Sequence, residues 1–261
     1  MERPNRWVSP VPRSDAVARI FCLPFAGTGA GLLRQWPARI GEIDVIRVQL
    51  PGRENRIREQ PFPDFHAFAA QTADGLAPYL DRPYALFGHC MGALLAHKLA
   101  TQLQELPAGG PGRLIVSSSL PPHFPPDQRY RPPGAAVEGI YHPSMSDSEL
   151  AEEMRRVARA QGQPDILPEL LPLAVRVLRQ DLDMCYKYSP EKPEPVECPI
   201  TTIGWSRDPE VDPAAMAAWL PYGAITHHRL EGDKLSFIQA PQALMAALAE
   251  DCLGLASEPG R

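Results

Sequence analysis

Short apolar runs bounded by turn residues alternate along this chain with longer stretches of helical periodicity. The runs at 18–23 (ARIFCL), 45–50 (VIRVQL), 84–88 (YALFG), 114–117 (LIVS), 200–204 (ITTIG) and 225–230 (ITHHRL) predict buried strands. Between them, 65–80, 91–103 and 241–253 have the spacing of amphipathic helices. Such alternation implies an α/β fold, a mostly parallel sheet covered by helices on both faces. Ligands then bind beyond the carboxyl ends of the strands. The stretch 146–188 breaks the rhythm with two helical patterns and no strand between them. Ser146 and Glu149 have capping-box spacing, so a helix should begin there. Proline-rich loops at 120–134 and 189–199 bracket this stretch. The expected organisation is a core formed by 1–140 and 189–261 with a helical lid at 141–188. Two further packing helices without a gating role are the plainer alternative.

Composition narrows the class. A chain of 261 residues with 44% hydrophobic content can bury a large sheet as one domain with an insertion. A net charge of −5, without a dense basic tract, argues against nucleic acid as a partner. No stretch approaches the roughly 18 apolar residues a membrane span needs. The polar, proline-rich start lacks the apolar segment of a signal peptide, so a cytoplasmic protein is expected, with monomer as the default. Five scattered cysteines suggest neither a disulfide framework nor a metal site. No metal or nucleotide signature is present.

The candidate chemistry lies at Phe87-Gly88-His89-Cys90-Met91-Gly92-Ala93, which follows a strand and opens a helix. G-x-S-x-G in that context is the nucleophile elbow of the α/β-hydrolase fold. Here the central residue is Cys90. The helix N-terminus should lower its pKa, and the Met91 N–H can serve an oxyanion. The run 22–30 (CLPFAGTGA) follows the first strand, where the second oxyanion donor is expected; Ala26 is the first choice and Phe25 the alternative. A plain glycine-rich turn would look the same.

Several motifs carry a family resemblance: Leu23-Pro24-Phe25-Ala26-Gly27, Val48-Gln49-Leu50-Pro51-Gly52-Arg53-Glu54, the elbow, SDSEL…MRRV and Asp208-Pro209-Glu210-Val211. From about residue 17 to 250 the chain resembles type II thioesterases of polyketide and nonribosomal peptide assembly lines. The resemblance implies an α/β-hydrolase with a helical lid and no cofactor of its own. Its substrate would be an acyl group on the phosphopantetheine arm of an acyl or peptidyl carrier protein. Family members use a Ser-His-Asp triad. Asp208 matches the acid, but Cys90 stands in place of serine and Lys234 in place of histidine.

Lysine beside Asp208 should be held cationic, a poor base for water but a partner for a thiolate. Acyl transfer or cyclising release through an acyl-Cys90 intermediate is therefore the first expectation. Editing hydrolysis with a substitute base, drawn from His227, His228 or His142, is the second. A catalytically silent carrier-binding module is the third. His89 is expected to pack beneath the site. The clusters Arg53, Arg56, Arg58 and Arg155, Arg156, Arg159 could dock an acidic carrier or simply form solvated faces. Met154, Leu170, Leu171, Leu178 and Met184 could line an acyl channel or form the inserted helices' own core.

Overall fold

The computed structural model describes residues 6–107, 109–130, 141–160 and 166–257. Its strands are β1 (Val8–Ser9), β2 (Ala18–Leu23), β3 (Arg39–Ile40), β4 (Ile43–Val48), β5 (Tyr84–His89), β6 (Arg113–Ser117), β7 (Ile200–Trp205) and β8 (Ile225–Leu230). They form one eight-stranded sheet in the order β1-β4-β2-β5-β6-β7-β8, with β3 paired to β4. β1 and β3 run antiparallel to β4, and every other pairing is parallel. The expected α/β-hydrolase architecture is therefore present.

Burial explains the order. Every residue of β2, β5 and β7 is buried, as a parallel sheet covered on both faces requires. Alternate residues of β2 enter opposite layers. Phe21 and Leu23 pack with Leu95 and Leu99 on one face, while Ile20 and Cys22 pack with Leu244 and Leu248 on the other. β8 closes the sheet and leaves several residues exposed.

The helices are α1 (Phe65–Leu76), α2 (Met91–Leu103), α3 (Pro126–Tyr130), α4 (Asp147–Ala160), α5 (Leu171–Lys187) and α6 (Gln242–Ser257). Asp64 caps α1 by accepting from the Ala67 N–H at 2.8 Å. The periodicity that suggested helix to residue 80 stops earlier, because Pro78 turns the end into a 3₁₀ segment, Ala77–Tyr79. β4 begins two residues before its expected start, and β1, β3, α3 and the 3₁₀ stretch Pro213–Tyr222 were not foreseen. The proline-rich stretch 120–134 is described only to residue 130, where α3 occupies part of it. Residues 1–5 of the polar start, and the tail beyond Ser257, lie outside the described residues.

The helices α4 and α5 lie between β6 and β7 and pack on each other. The Ser146–Glu149 capping box forms as its spacing predicts. The Ser146 N–H donates to Glu149 Oε2 at 2.6 Å, and the Glu149 N–H returns to Ser146 Oγ at 3.3 Å. At the other helix, Asp181 of α5 takes a bidentate bond from Arg53, at 2.7 and 2.8 Å. The same carboxylate accepts the Gly27 N–H at 2.8 Å, and Arg53 also donates to the Thr28 carbonyl at 2.8 Å. Both partners of this ion pair are buried.

Candidate active site

β5 ends at His89 and α2 begins at Met91, so Cys90 alone makes the turn between them. Its φ of 55° and ψ of −121° lie outside the helical and strand regions, a conformation that costs roughly 1–3 kcal/mol and persists only where the surrounding structure imposes it. Here two small residues permit it. A side chain at Gly88 would overlap the Gly92 carbonyl, and a Cβ at Gly92 would sit 2.8 Å from the Leu23 carbonyl oxygen. The Cys90 N–H donates to the Ser117 carbonyl at 2.9 Å, fixing the elbow to β6. Cys90 remains partly accessible, whereas Cys22, Cys185, Cys198 and Cys252 are buried. All five cysteines are free thiols.

Lys234 is brought to this pocket and is 6% exposed. Its ammonium donates to the Glu210 carboxylate in a very short contact between two buried side chains. The direct partner is thus Glu210, not Asp208. Asp208 accepts the Ser118 hydroxyl through Oδ2. Through Oδ1 it accepts the backbone N–H groups of Glu210 and Val211 at 2.9 and 3.1 Å. That carboxylate closes its own loop, and the next acid along reaches the cation. Glu210 stands in the Asp208-Pro209-Glu210-Val211 motif, but nothing in the sequence alone assigns it a role. Ser118 was also missed; it lines the pocket and holds a positive φ of 49°.

The electrostatics correct one expectation. Burial pushes the Cys90 thiol above its ordinary pKa, and Lys234 offsets this only in part. Glu210 and Asp208 add to the rise. The lowering expected at the helix N-terminus is therefore not the net result. Burial also works against the Lys234 ammonium, but Cys90 when ionised, Glu210 and Asp208 outweigh it and hold the lysine protonated above its usual range.

Met91, Ala26 and Phe25 all line the pocket with Cys90, where oxyanion donors were sought. His89 packs beneath, stacked on Phe237 with ring centroids 3.9 Å apart, its Nδ1 paired with Ser117 Oγ at 3.0 Å. Burial, then Lys234, depress its pKa well below the ordinary value, so its ring is neutral. His227 is bonded to Thr202 at 2.9 Å and His142 to Ser144 at 2.7 Å. Neither these nor His228 line the pocket.

The apolar wall from the inserted helices is Val157, Leu182 and Cys185, not the channel residues suggested by sequence. Leu171, Leu178 and Met184 are buried core, and Leu170 is exposed. The arginine clusters are also mostly engaged. Arg53 is held by Asp181; Arg56 pairs with Glu59 and lies 4.1 Å from the Trp7 ring centroid. Arg155, Arg156 and Arg159 pair with Glu152 or Glu153 of their own helix. Arg53 and Arg56 are thus buried structural residues, whereas Arg156 and Arg159 keep exposed side chains paired along their own helix. Arg58 is exposed. No metal-holding cluster of His, Cys, Asp or Glu, and no helix long and apolar enough to cross a membrane, occurs among the described residues.

Comparison with known proteins places this geometry in a family. A family model described as thioesterase domain matches residues 18–252. A Brevibacillus parabrevis protein named linear gramicidin dehydrogenase LgrE is 33% identical over 260 residues, covering 96% of this chain and 93% of that one. The structure of RedJ, a thioesterase from the prodiginine biosynthetic pathway of Streptomyces coelicolor, is 33% identical with a TM-score of 0.72, covering 90% and 86%. That of BorB, a type II thioesterase from the borrelidin biosynthetic cluster, is 28% identical with a TM-score of 0.75, covering 94% and 97%. With its elbow, sheet and inserted helices, the chain belongs to the thioesterase family, among the type II thioesterases of polyketide and nonribosomal peptide biosynthesis.

Proposed function

We propose that the protein takes an acyl group from a carrier-protein phosphopantetheine thioester onto Cys90 and passes it to a nucleophile other than water. The observation that carries this reading is the buried Lys234–Glu210 ion pair at the position expected to hold a general base. Water attack on an acyl-enzyme needs a group that can accept a proton, and an ammonium fixed by a carboxylate cannot. Exchange of one thioester for another has little thermodynamic cost, and the proton given up by Cys90 passes to the departing pantetheine sulfur, so acylation needs no base that keeps the proton. A thiol, an amine or a substrate carbanion would then take the group, giving transfer or cyclising release.

In this reading Cys90 is the nucleophile, Met91 and Ala26 supply the oxyanion N–H groups, and Lys234 stabilises thiolate character as Cys90 reacts. Asp208 acts through the loop it closes, holding Ser118 and Glu210 in place. The α4–α5 pair serves as a lid over a cytoplasmic, monomeric enzyme that requires no cofactor beyond its partner's prosthetic arm.

The test is intact-mass analysis after incubation with an acyl-pantetheine thioester. A persistent adduct, absent from Cys90→Ala and discharged by an added thiol or amine, is expected. Rapid release of free acid would instead support editing hydrolysis, and no adduct would indicate a silent carrier-binding module. Lys234→His should raise hydrolysis at least tenfold by restoring an imidazole; unchanged hydrolysis would contradict the role given to the missing base.

A further inference from the structure

Building on the acyl-Cys90 reading, we propose that Glu210 guards the acyl-enzyme by keeping Lys234 an ammonium, so that the lysine does not capture the acyl group as an amide. The hazard comes from the placement of the two nucleophiles. Cys90 and Lys234 line the same pocket, and Lys234 is almost wholly buried. Burial disfavours the charged form of lysine, and a desolvated neutral amine is a strong acyl acceptor. In the step avoided, Nζ bonds to the acyl carbonyl carbon and the carbonyl carbon–Sγ bond breaks. Sulfur leaves with the electron pair and takes the proton released by nitrogen. The products are an amide on Lys234 and a free Cys90 thiol. An amide does not return its acyl group to a thiol, so one such event ends turnover.

The charged and titratable groups around Lys234 come from every wall of the site. His89 and Cys90 lie at the elbow, Arg129 on α3, Tyr141 before α4, and Asp208 and Glu210 after β7. Glu210 is the carboxylate in direct contact with the ammonium. Asp208 acts at longer range, its oxygens taken by Ser118 and two backbone N–H groups. An acyl group on Cys90 removes any thiolate charge that would hold the ammonium. The guard therefore matters most in the acyl-enzyme, when the thioester is present to be attacked.

Glu210→Gln keeps the shape of the side chain and removes its charge. Wild type, Glu210→Gln, Glu210→Asp and Cys90→Ala/Glu210→Gln would be incubated with an acyl-N-acetylcysteamine thioester, treated with hydroxylamine and mapped by peptide mass spectrometry. The wild-type adduct should lie on Cys90 and be removed by hydroxylamine. In Glu210→Gln it should move to Lys234 and resist hydroxylamine. Glu210→Asp should restore the labile adduct, and loss of Cys90 should prevent the resistant one. A labile Cys90 adduct in Glu210→Gln, with wild-type lifetime, would overturn the proposal. Acetic anhydride labelling of Lys234 at neutral pH provides a readout independent of Cys90, expected to be at least tenfold faster in Glu210→Gln. Unchanged labelling overturns the guard alone. Faster labelling without any wild-type Cys90 adduct sinks the acyl-Cys90 reading, and the guard with it.

Discussion

At the scale of single residues, the elbow depends on the hydrogen atom that serves as the side chain of Gly88. A methyl group there would overlap the Gly92 carbonyl, which is backbone and cannot swing aside. Gly88→Ala should therefore cost more than about 4 kcal/mol or yield no folded protein, read by chemical denaturation of the purified variant. Cys90 offers a second measurement. Because burial raises its pKa, its alkylation by iodoacetamide should be slow at neutral pH and climb about tenfold per pH unit past the ordinary thiol range. A rate already at its plateau at pH 7 would show a resting thiolate. These residues also mark the limit of sequence reading. Cys90 and Lys234 stood out because they occupy positions where a motif expects serine and histidine. Glu210 did not, because two acids flank Pro209 and nothing in their order says which turns inward. That is decided by the N–H groups of Glu210 and Val211, which close on Asp208 and leave the second carboxylate to meet the cation. The state of Cys90 was misjudged for a related reason: helix position can be read from sequence, whereas desolvation depends on what the finished fold packs around the sulfur.

At the scale of elements, the central strands were legible because a parallel strand buried on both faces is almost continuously apolar. β1 and β3 were not, being two-residue pairings with too few positions to show a period. The two inserted helices were visible from periodicity and the Ser146–Glu149 box, but their anchorage was not. Arg53 looked like part of a surface cluster. It is instead 5% exposed and paired with Asp181, 128 residues away in the chain. Removing one member of a buried ion pair leaves the other charge without compensation. Asp181→Ala should consequently cost about 3–5 kcal/mol in a denaturant titration, while Asp181→Leu/Arg53→Met should recover most of it. Equal losses in the single and double variants would show that packing, not charge, makes this contact.

At the scale of the whole molecule, buried imidazoles tie stability to pH. His97 on α2 is fully buried, pairs through Nε2 with the Glu194 carbonyl at 2.8 Å, and packs against Trp219 and Tyr222. Burial lowers its pKa from 6.5 to about 4, and His89 is depressed in the same direction. Below the ordinary value the unfolded chain binds a proton that the folded chain does not. The His97 contribution is full above pH 6.5 and is lost as pH falls toward 4, by up to about 3 kcal/mol. His97→Gln should flatten unfolding free energy across that window; an unchanged slope would place the acid sensitivity elsewhere. The Arg53–Asp181–Gly27 junction also has a consequence for traffic into the molecule. Asp181 grips the loop that carries Ala26, and a Cβ at Gly27 would lie only 3.1 Å from Leu178 on the same helix. Swinging α5 aside would dismantle that loop and expose a buried charge pair. Within the proposed lid, α5 is thus the fixed jamb, and any opening falls to α4.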